Sequence, residues 1–201
     1  MIIIVMGVSG CGKTTIGSRL AKKLGWQFAD ADEFHSEENK IKMSAGQPLT
    51  DQDRLPWLQS IHNFVRRLSQ NNQSGVVTCS ALKKVYRNVL RNGYSPLLHS
   101  EIEHVTEKPD METAKEHNEH QKDSELYNTQ EVDIVFIHLT GSRDVLETRL
   151  VNRLGHFMPA KLLQSQLDTL ENLDKQEKGF NIDIDNTEEN ITKEIIGKIG
   201  V

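Results

Sequence analysis

Gly7-Val8-Ser9-Gly10-Cys11-Gly12-Lys13-Thr14 joins an apolar run, Ile2 to Met6, to a stretch with helical periodicity. Glycine, four residues, then Gly-Lys-Thr is the spacing of a phosphate-binding loop, and it stands where such a loop has meaning, after a strand and before a helix. The glycines let the backbone curl until its N–H groups point at anionic oxygens. A helix starting near Lys13 adds its positive dipole end. The cradle runs through Gly7, Val8, Ser9, Gly10, Cys11, Gly12, Lys13, Thr14 and Thr15. In such a loop the lysine reaches the β- and γ-phosphates of a nucleotide, and the Thr14 hydroxyl ligates Mg²⁺.

Something must receive the phosphoryl group. Asp30-Ala31-Asp32 falls at the carboxyl end of a second predicted strand. Side chains alternate along an extended segment, so Asp30 and Asp32 are expected to face the same way, one towards Mg²⁺ and one towards an acceptor hydroxyl. The plainer alternative is a polar strand end that caps the next turn. His35 suits a hydrogen bond to a polyol, or a structural role. Arg54, in Asp51-Gln52-Asp53-Arg54, offers a fork for a carboxylate; the alternative is a capped helix start with an intrahelical ion pair. Lys83, Lys84 and Arg87 follow the third strand, and at least one is expected to face an anionic ligand. Arg149 and Arg153 lie four apart on one helical face, ahead of Gly155-His156-Phe157-Met158-Pro159. This pattern fits a mobile lid that carries positive charge onto a transferring phosphoryl group and excludes water, or else a basic surface stripe. No acid ends the third strand, and Asp133 starts its strand, which is the wrong end. The Asp30/Asp32 pair is therefore the candidate for both metal and acceptor duties. No Asn-Lys-x-Asp string is present, which argues against a guanine-nucleotide switch.

The elements that must position these residues alternate. Short apolar runs at Ile2–Met6, Trp26–Ala29, Val76–Cys79, Asp133–Leu139 and Phe180–Ile184 are separated by helical patterns. These cover 13–24, 36–46, a stretch capped by Thr50 or Asp51, Leu82 to Arg91, Arg143 to Asn152, the Leu162–Leu170 stretch, and 187–199. Alternation of this kind implies an α/β fold: a parallel sheet with helices on both faces and ligands at the carboxyl ends of the strands. A length of 201 residues suits one domain. The formal net charge of −5 gives no global basic field for nucleic acid or an anionic membrane. Two cysteines, Cys11 and Cys79, form neither a disulfide framework nor a metal cluster and read as filler and core. The opening apolar run is too short for a signal or a membrane span, so the expected setting is cytoplasmic.

Further motifs sharpen the acceptor. The loop just described, Asp30-Ala31-Asp32-Glu33-Phe34-His35, Glu38-Asn39 with Lys42-Met43, and Pro48-Leu49-Thr50-Asp51-Gln52-Asp53-Arg54-Leu55-Pro56-Trp57-Leu58 occur in this order. Cys79-Ser80-Ala81-Leu82-Lys83-Lys84-x-Tyr86-Arg87, Gly155-His156-Phe157-Met158-Pro159 and Leu162-Leu163-x-Ser165-Gln166 follow. In this series the chain resembles the gluconokinase family. The resemblance implies a single P-loop kinase domain over 1–201, similar to shikimate and nucleoside monophosphate kinases: three layers, a mostly five-stranded parallel sheet, and a helical lid near 149–170. It implies ATP-dependent phosphorylation of D-gluconate to 6-phospho-D-gluconate, by a homodimer. By the same resemblance Lys13 and Thr14 serve ATP and Mg²⁺, Asp30 lies nearer the metal, and Asp32 is the acceptor base. His35, Arg54 and Lys83 contact gluconate, as does His156 from the lid, where Arg149 and Arg153 act in catalysis. Adenine is expected near Asp183 to Thr187. Residues 96–131 depart from the family pattern: they are rich in Asp and Glu, poor in large apolar residues, and suit a solvated, flexible insertion. His99, His104, His117 and His120 within it set no clear metal geometry. A kinase for a related sugar acid or small polyol is the runner-up, and a catalytically silent nucleotide-binding regulator is the alternative from another class.

Overall fold

In the computed structural model of the chain, the residues described are 1–95, 131–151 and 161–201. Five strands form one parallel sheet: β1 (Ile2–Met6), β2 (Gln27–Asp30), β3 (Gly75–Thr78), β4 (Ile134–Thr140) and β5 (Gly179–Asp183), in the order β2-β3-β1-β4-β5. β1 is central, pairing Ile2 with Gly75 on one side and with Ile134 on the other. All five of its residues are buried, because helices cover both faces of the sheet. Each such aliphatic side chain contributes about 1.5–3 kcal/mol by leaving water.

Alternation along β1 divides the core in two. Ile2, Ile4 and Met6 pack against Trp57, Leu58 and Ile61 of α3 (Asp51–Gln70) and against Tyr86, Val89 and Leu90 of α4 (Lys84–Asn92). α2 is the short helix Glu37–Ser44, with Ser36 as its N-cap. Ile3 and Val5 face Ile16 and Leu20 of α1 (Lys13–Leu24), Leu146 of α5 (Arg143–Val151), Leu163 of α6 (Lys161–Thr169), and Ile191 and Ile195 of α7 (Glu188–Ile199). The three-layer α/β fold expected from the sequence is therefore present. The carboxyl ends of β1 and β3 open side by side, between connections that leave in opposite directions, and this is where a ligand crevice belongs.

Two boundaries differ from expectation for local reasons. The helix expected from Leu82 begins at Lys84, because Ala81 has a φ of 44° and Lys83 is extended. Leu82 and Lys83 thus belong to a loop at the sheet's active edge. α3 starts after Thr50, whose hydroxyl accepts from the Asp53 N–H while the Asp53 carboxylate accepts from the Thr50 N–H, a reciprocal cap. The Asp53 carboxylate also takes the Lys42 ammonium at 2.7 Å, tying α2 to α3. Of the acidic insertion expected over 96–131, all but Glu131 lies outside the described residues, as does the stretch 152–160 at the centre of the expected lid.

Candidate active site

A cavity of about 910 Å³ lies at the carboxyl edge of the sheet, wide enough for a nucleotide and a small acceptor together. The phosphate loop forms its floor. Gly12 holds a φ of 91° as it caps α1, a conformation that only glycine adopts cheaply. Gly7 has a φ of 139°, and a Cβ there would come within 2.8 Å of the Leu139 carbonyl oxygen. The Lys13 ammonium donates to the Val8 carbonyl at 3.1 Å, so the loop already carries its cation curled over it. Cys11 and Cys79 are both buried. Burial raises the Cys11 thiol above its ordinary value and pushes Cys79 up to about 12, so both are neutral packing groups.

The two aspartates reach this floor by a different geometry from the one expected. The extended conformation ends at Asp30, and Ala31–Phe34 is a turn of 3₁₀ helix, so strand alternation does not set the direction of Asp32. Asp30 instead acts twice. One oxygen caps the turn by accepting the Asp32 N–H at 3.1 Å, and the other accepts the Thr14 hydroxyl at 2.7 Å. The capping alternative and the ligand-facing reading are thus combined in one side chain. Asp30 and Asp32 both line the cavity. Among the described residues, no group of three or more His, Cys, Asp or Glu is arranged to hold a metal ion.

The turn carrying Asp32 is fixed from behind by Trp57, whose indole N–H donates to the Ala31 carbonyl at 2.7 Å. The same indole stacks on the His35 ring, with centroids 4.4 Å apart and planes 9° from parallel. Burial, then the charges of Arg54 and Lys40, bring His35 down to about 4, so the imidazole that lines the cavity is neutral at pH 7.

Arg54 lines the cavity from α3, and behind it lies a cluster centred on Asp51. The Asp51 carboxylate takes the Lys83 ammonium at 2.6 Å, the Tyr86 hydroxyl, and the Arg54 guanidinium at 3.5 Å. Burial pushes Asp51 up, but the hydrogen bonds from Lys83 and Tyr86 and the charges of Lys83 and Arg54 outweigh it and hold the carboxyl below its usual range. Lys83 braces Asp51 and is not among the residues lining the cavity. Its neighbours also face carboxylates of the chain. Lys84 pairs with Asp174, and the buried Arg87 grips both Glu177 oxygens, at 2.6 and 2.9 Å, and the carbonyls of Ala81, Leu82, Glu171 and Asn172. The positive charges after β3 therefore hold the 79–83 loop against the segment that precedes β5.

Arg149 of α5 reaches the cavity beside Gly12 and donates to the Ile184 carbonyl at 3.0 Å. Arg153 and His156 lie outside the described residues. Asn186, in the loop after β5, and Glu188 of α7 line another part of the cavity, in and just after the stretch expected near adenine. Sequence reasoning passed over three contributors. Trp57 and Asp51 stand inside the Asp-Gln-Asp-Arg-x-Pro-Trp motif that pointed to Arg54. Gln166 sits among the leucines of α6, and a polar residue on an otherwise apolar helical face was its signal.

The family model for shikimate kinase matches residues 9–154. A probable gluconokinase of Xenopus tropicalis is 45% identical over 99% of this chain and 93% of its own length. Of solved structures, a sugar kinase from Janibacter sp. HTCC2649 superposes with a TM-score of 0.77 at 36% identity, covering 100% of this chain and 94% of that one. A gluconokinase from Sinorhizobium meliloti 1021 superposes with a TM-score of 0.70 at 34% identity, covering 98% and 90%. With identities of this size carried across almost its whole length, the chain belongs to the gluconokinase family.

Proposed function

We propose that the chain transfers the γ-phosphoryl group of ATP to D-gluconate, giving 6-phospho-D-gluconate. One observation carries the proposal: a single cavity joins the phosphate loop to Asp32, His35 and Arg54. Gluconate offers a carboxylate for the Arg54 guanidinium and hydroxyls for a neutral imidazole. Asp32 orients the attacking hydroxyl and accepts its proton. Lys13 and Arg149 meet the charge that spreads over the transferring phosphoryl oxygens. In the same reading Arg153 and His156 act from the lid, His156 towards gluconate, and Lys83 serves the gluconate carboxylate through the Asp51 cluster. Adenine is placed against the loop around Asn186.

Thr14 and Asp30 fit magnesium: a hydroxyl and a carboxylate, 2.7 Å apart beside the phosphate loop, are the hard oxygen donors this ion takes alongside phosphate and water. When bound there, Mg²⁺ neutralises phosphate charge. The proposal includes one kinase domain over 1–201 acting as a homodimer in the cytoplasm, on the strength of likeness to the family. No described helix is long and apolar enough to cross a membrane.

The test is a panel of sugar acids, small polyols, shikimate and nucleoside monophosphates, ranked by kcat/KM with ATP. Gluconate should lead, with shikimate and the nucleotides inert. A higher rank for another sugar acid would move the substrate within the class. ATP turnover that is equal with and without every acceptor would sink the kinase reading.

A further inference from the structure

The phosphate loop has an attachment that the donor chemistry leaves unexplained. The Val8–Ser9 peptide is held from both sides. Its carbonyl oxygen accepts from the Lys13 ammonium at 3.1 Å, and its N–H donates to Gln166 Oε1 at 2.6 Å. Gln166 belongs to α6, 157 residues further along the chain, and it lines the same cavity. The segment that follows α6 is anchored: the Glu171 N–H donates to the Leu82 carbonyl at 2.8 Å, and Arg87 grips the carbonyls of Glu171 and Asn172. Gln166 thus approaches the loop from a helix whose end is fixed to the acceptor-side loop.

The chemistry of the contact is specific. A buried or half-buried N–H needs an acceptor. A carboxylate would satisfy it, but would then repel phosphate from a loop whose purpose is to hold phosphate. A neutral amide carbonyl satisfies the donor without that charge, and a charged phosphate oxygen is the stronger acceptor. Lys13 marks which phosphate is concerned. It is the side chain that reaches the terminal phosphates, and it touches the same peptide unit.

We infer that Gln166 is a positioning residue for the phosphoryl donor: its side-chain carbonyl sets the plane of the Val8–Ser9 peptide and yields the Ser9 N–H to the terminal phosphate of the nucleotide. α6 is thereby coupled to a triphosphate and only weakly to a diphosphate. This rests on the kinase reading given above, and it concerns the donor alone.

The test measures binding of ADP and of a non-hydrolysable ATP analogue by calorimetry, without acceptor, to the wild-type chain, Gln166→Glu and Gln166→Ala. Gln166→Glu keeps an acceptor for Ser9 and adds a negative charge at the terminal phosphate. It should weaken the triphosphate at least about tenfold and ADP less than about threefold. Gln166→Ala removes the acceptor that competes with the phosphate for the Ser9 N–H in the free loop, so it should tighten the triphosphate by about threefold, the size of one neutral hydrogen bond that binding no longer breaks, with ADP unchanged. Gln166→Met, close in volume and without the carbonyl, repeats the measurement if either variant is unstable. Equal losses for the two nucleotides in Gln166→Glu, no loss for the triphosphate in that variant, or a weaker triphosphate in Gln166→Ala overturns the inference. A wild-type chain that binds neither nucleotide overturns both the inference and the kinase reading. Binding with the expected split, but no turnover with gluconate, overturns only the choice of acceptor.

Discussion

The floor of the donor half is one contiguous stretch, the phosphate loop through Thr15, while the acceptor half is assembled from a turn after β2, the start of α3 and the loop after β3. The donor half works through backbone. Positive φ angles at Gly7, Gly10 and Gly12 shape the curl, and the helix terminus supplies the field. Side chains matter there at few points, chiefly Lys13. The acceptor half works through side chains that are themselves held by side chains: Asp32 by the turn that Trp57 pins, His35 by stacking, Arg54 by the Asp51 cluster. A backbone cradle recognises any polyphosphate. On the proposed function, a braced set of side chains is what distinguishes one polyol acid from another, which places specificity in the second region.

The largest test of this contrast is the lysine that the phosphate loop itself supplies. Lys13→Ala should lower kcat by ~10³-fold, because it removes a fixed charge from the phosphates while leaving the backbone cradle intact. Nucleotide binding that survives beside lost turnover is the expected result; unchanged kcat would mean that Arg149 alone carries the charge. Asp32→Asn comes next. It should lower kcat by ~10²-fold and leave ATP binding in place, since general-base assistance is lost and the donor half is untouched. Undiminished turnover would remove Asp32 from the base role.

These two halves were not equally legible. The strand-helix alternation and the two-sided burial of β1 follow from an apolar run with no polar alternation, so the sheet was readable in advance. The phosphate loop was readable because its backbone geometry demands glycine at fixed spacings. The acceptor half was readable only as a set of candidates. Nothing local in Asp30-Ala31-Asp32 says that the strand stops at Asp30; a tertiary contact, the Trp57 indole on the Ala31 carbonyl, secures the turn. Nor does spacing reveal that Lys84 and Arg87 face Asp174 and Glu177, some ninety positions away. A cation's partner is a property of the folded chain, and that is why a basic helix start looked like a ligand site.

Asp51 allows a finer test of the same contrast. It is the shared partner of Lys83, Tyr86 and Arg54, and these three all stand on the acceptor side of the cavity. Asp51→Asn keeps the shape and removes the charge that orders those groups. The KM for gluconate should rise about tenfold, the size of one charge-assisted hydrogen bond, with the KM for ATP unchanged. A parallel rise in both would show that the two halves are mechanically coupled here. In that case Arg54 would not be positioned separately from the donor.

The smallest effect concerns His35 and is read in stability against pH. Its folded value of about 4 lies below the ordinary histidine value of 6.5, through burial and then the charges of Arg54 and Lys40. Between these two values the unfolded chain takes up a proton that the folded chain refuses. The stabilisation of the neutral ring is therefore complete above pH 6.5 and is lost progressively as the pH falls towards 4. Urea unfolding measured at intervals across this window should show stability falling with pH. His35→Asn should make that slope shallower without flattening it, because burial also lowers His62 and His138. The variant also loses the stack on Trp57, so it should be less stable throughout, and the slope is what identifies the titrating group. An unchanged slope would mean that His35 keeps its ordinary value in the folded chain and becomes a cation in the acceptor half as the pH falls below 6.5. Below that pH the cation count facing gluconate would rise by one, and the acceptor site would select for carboxylate more strongly than for hydroxyl.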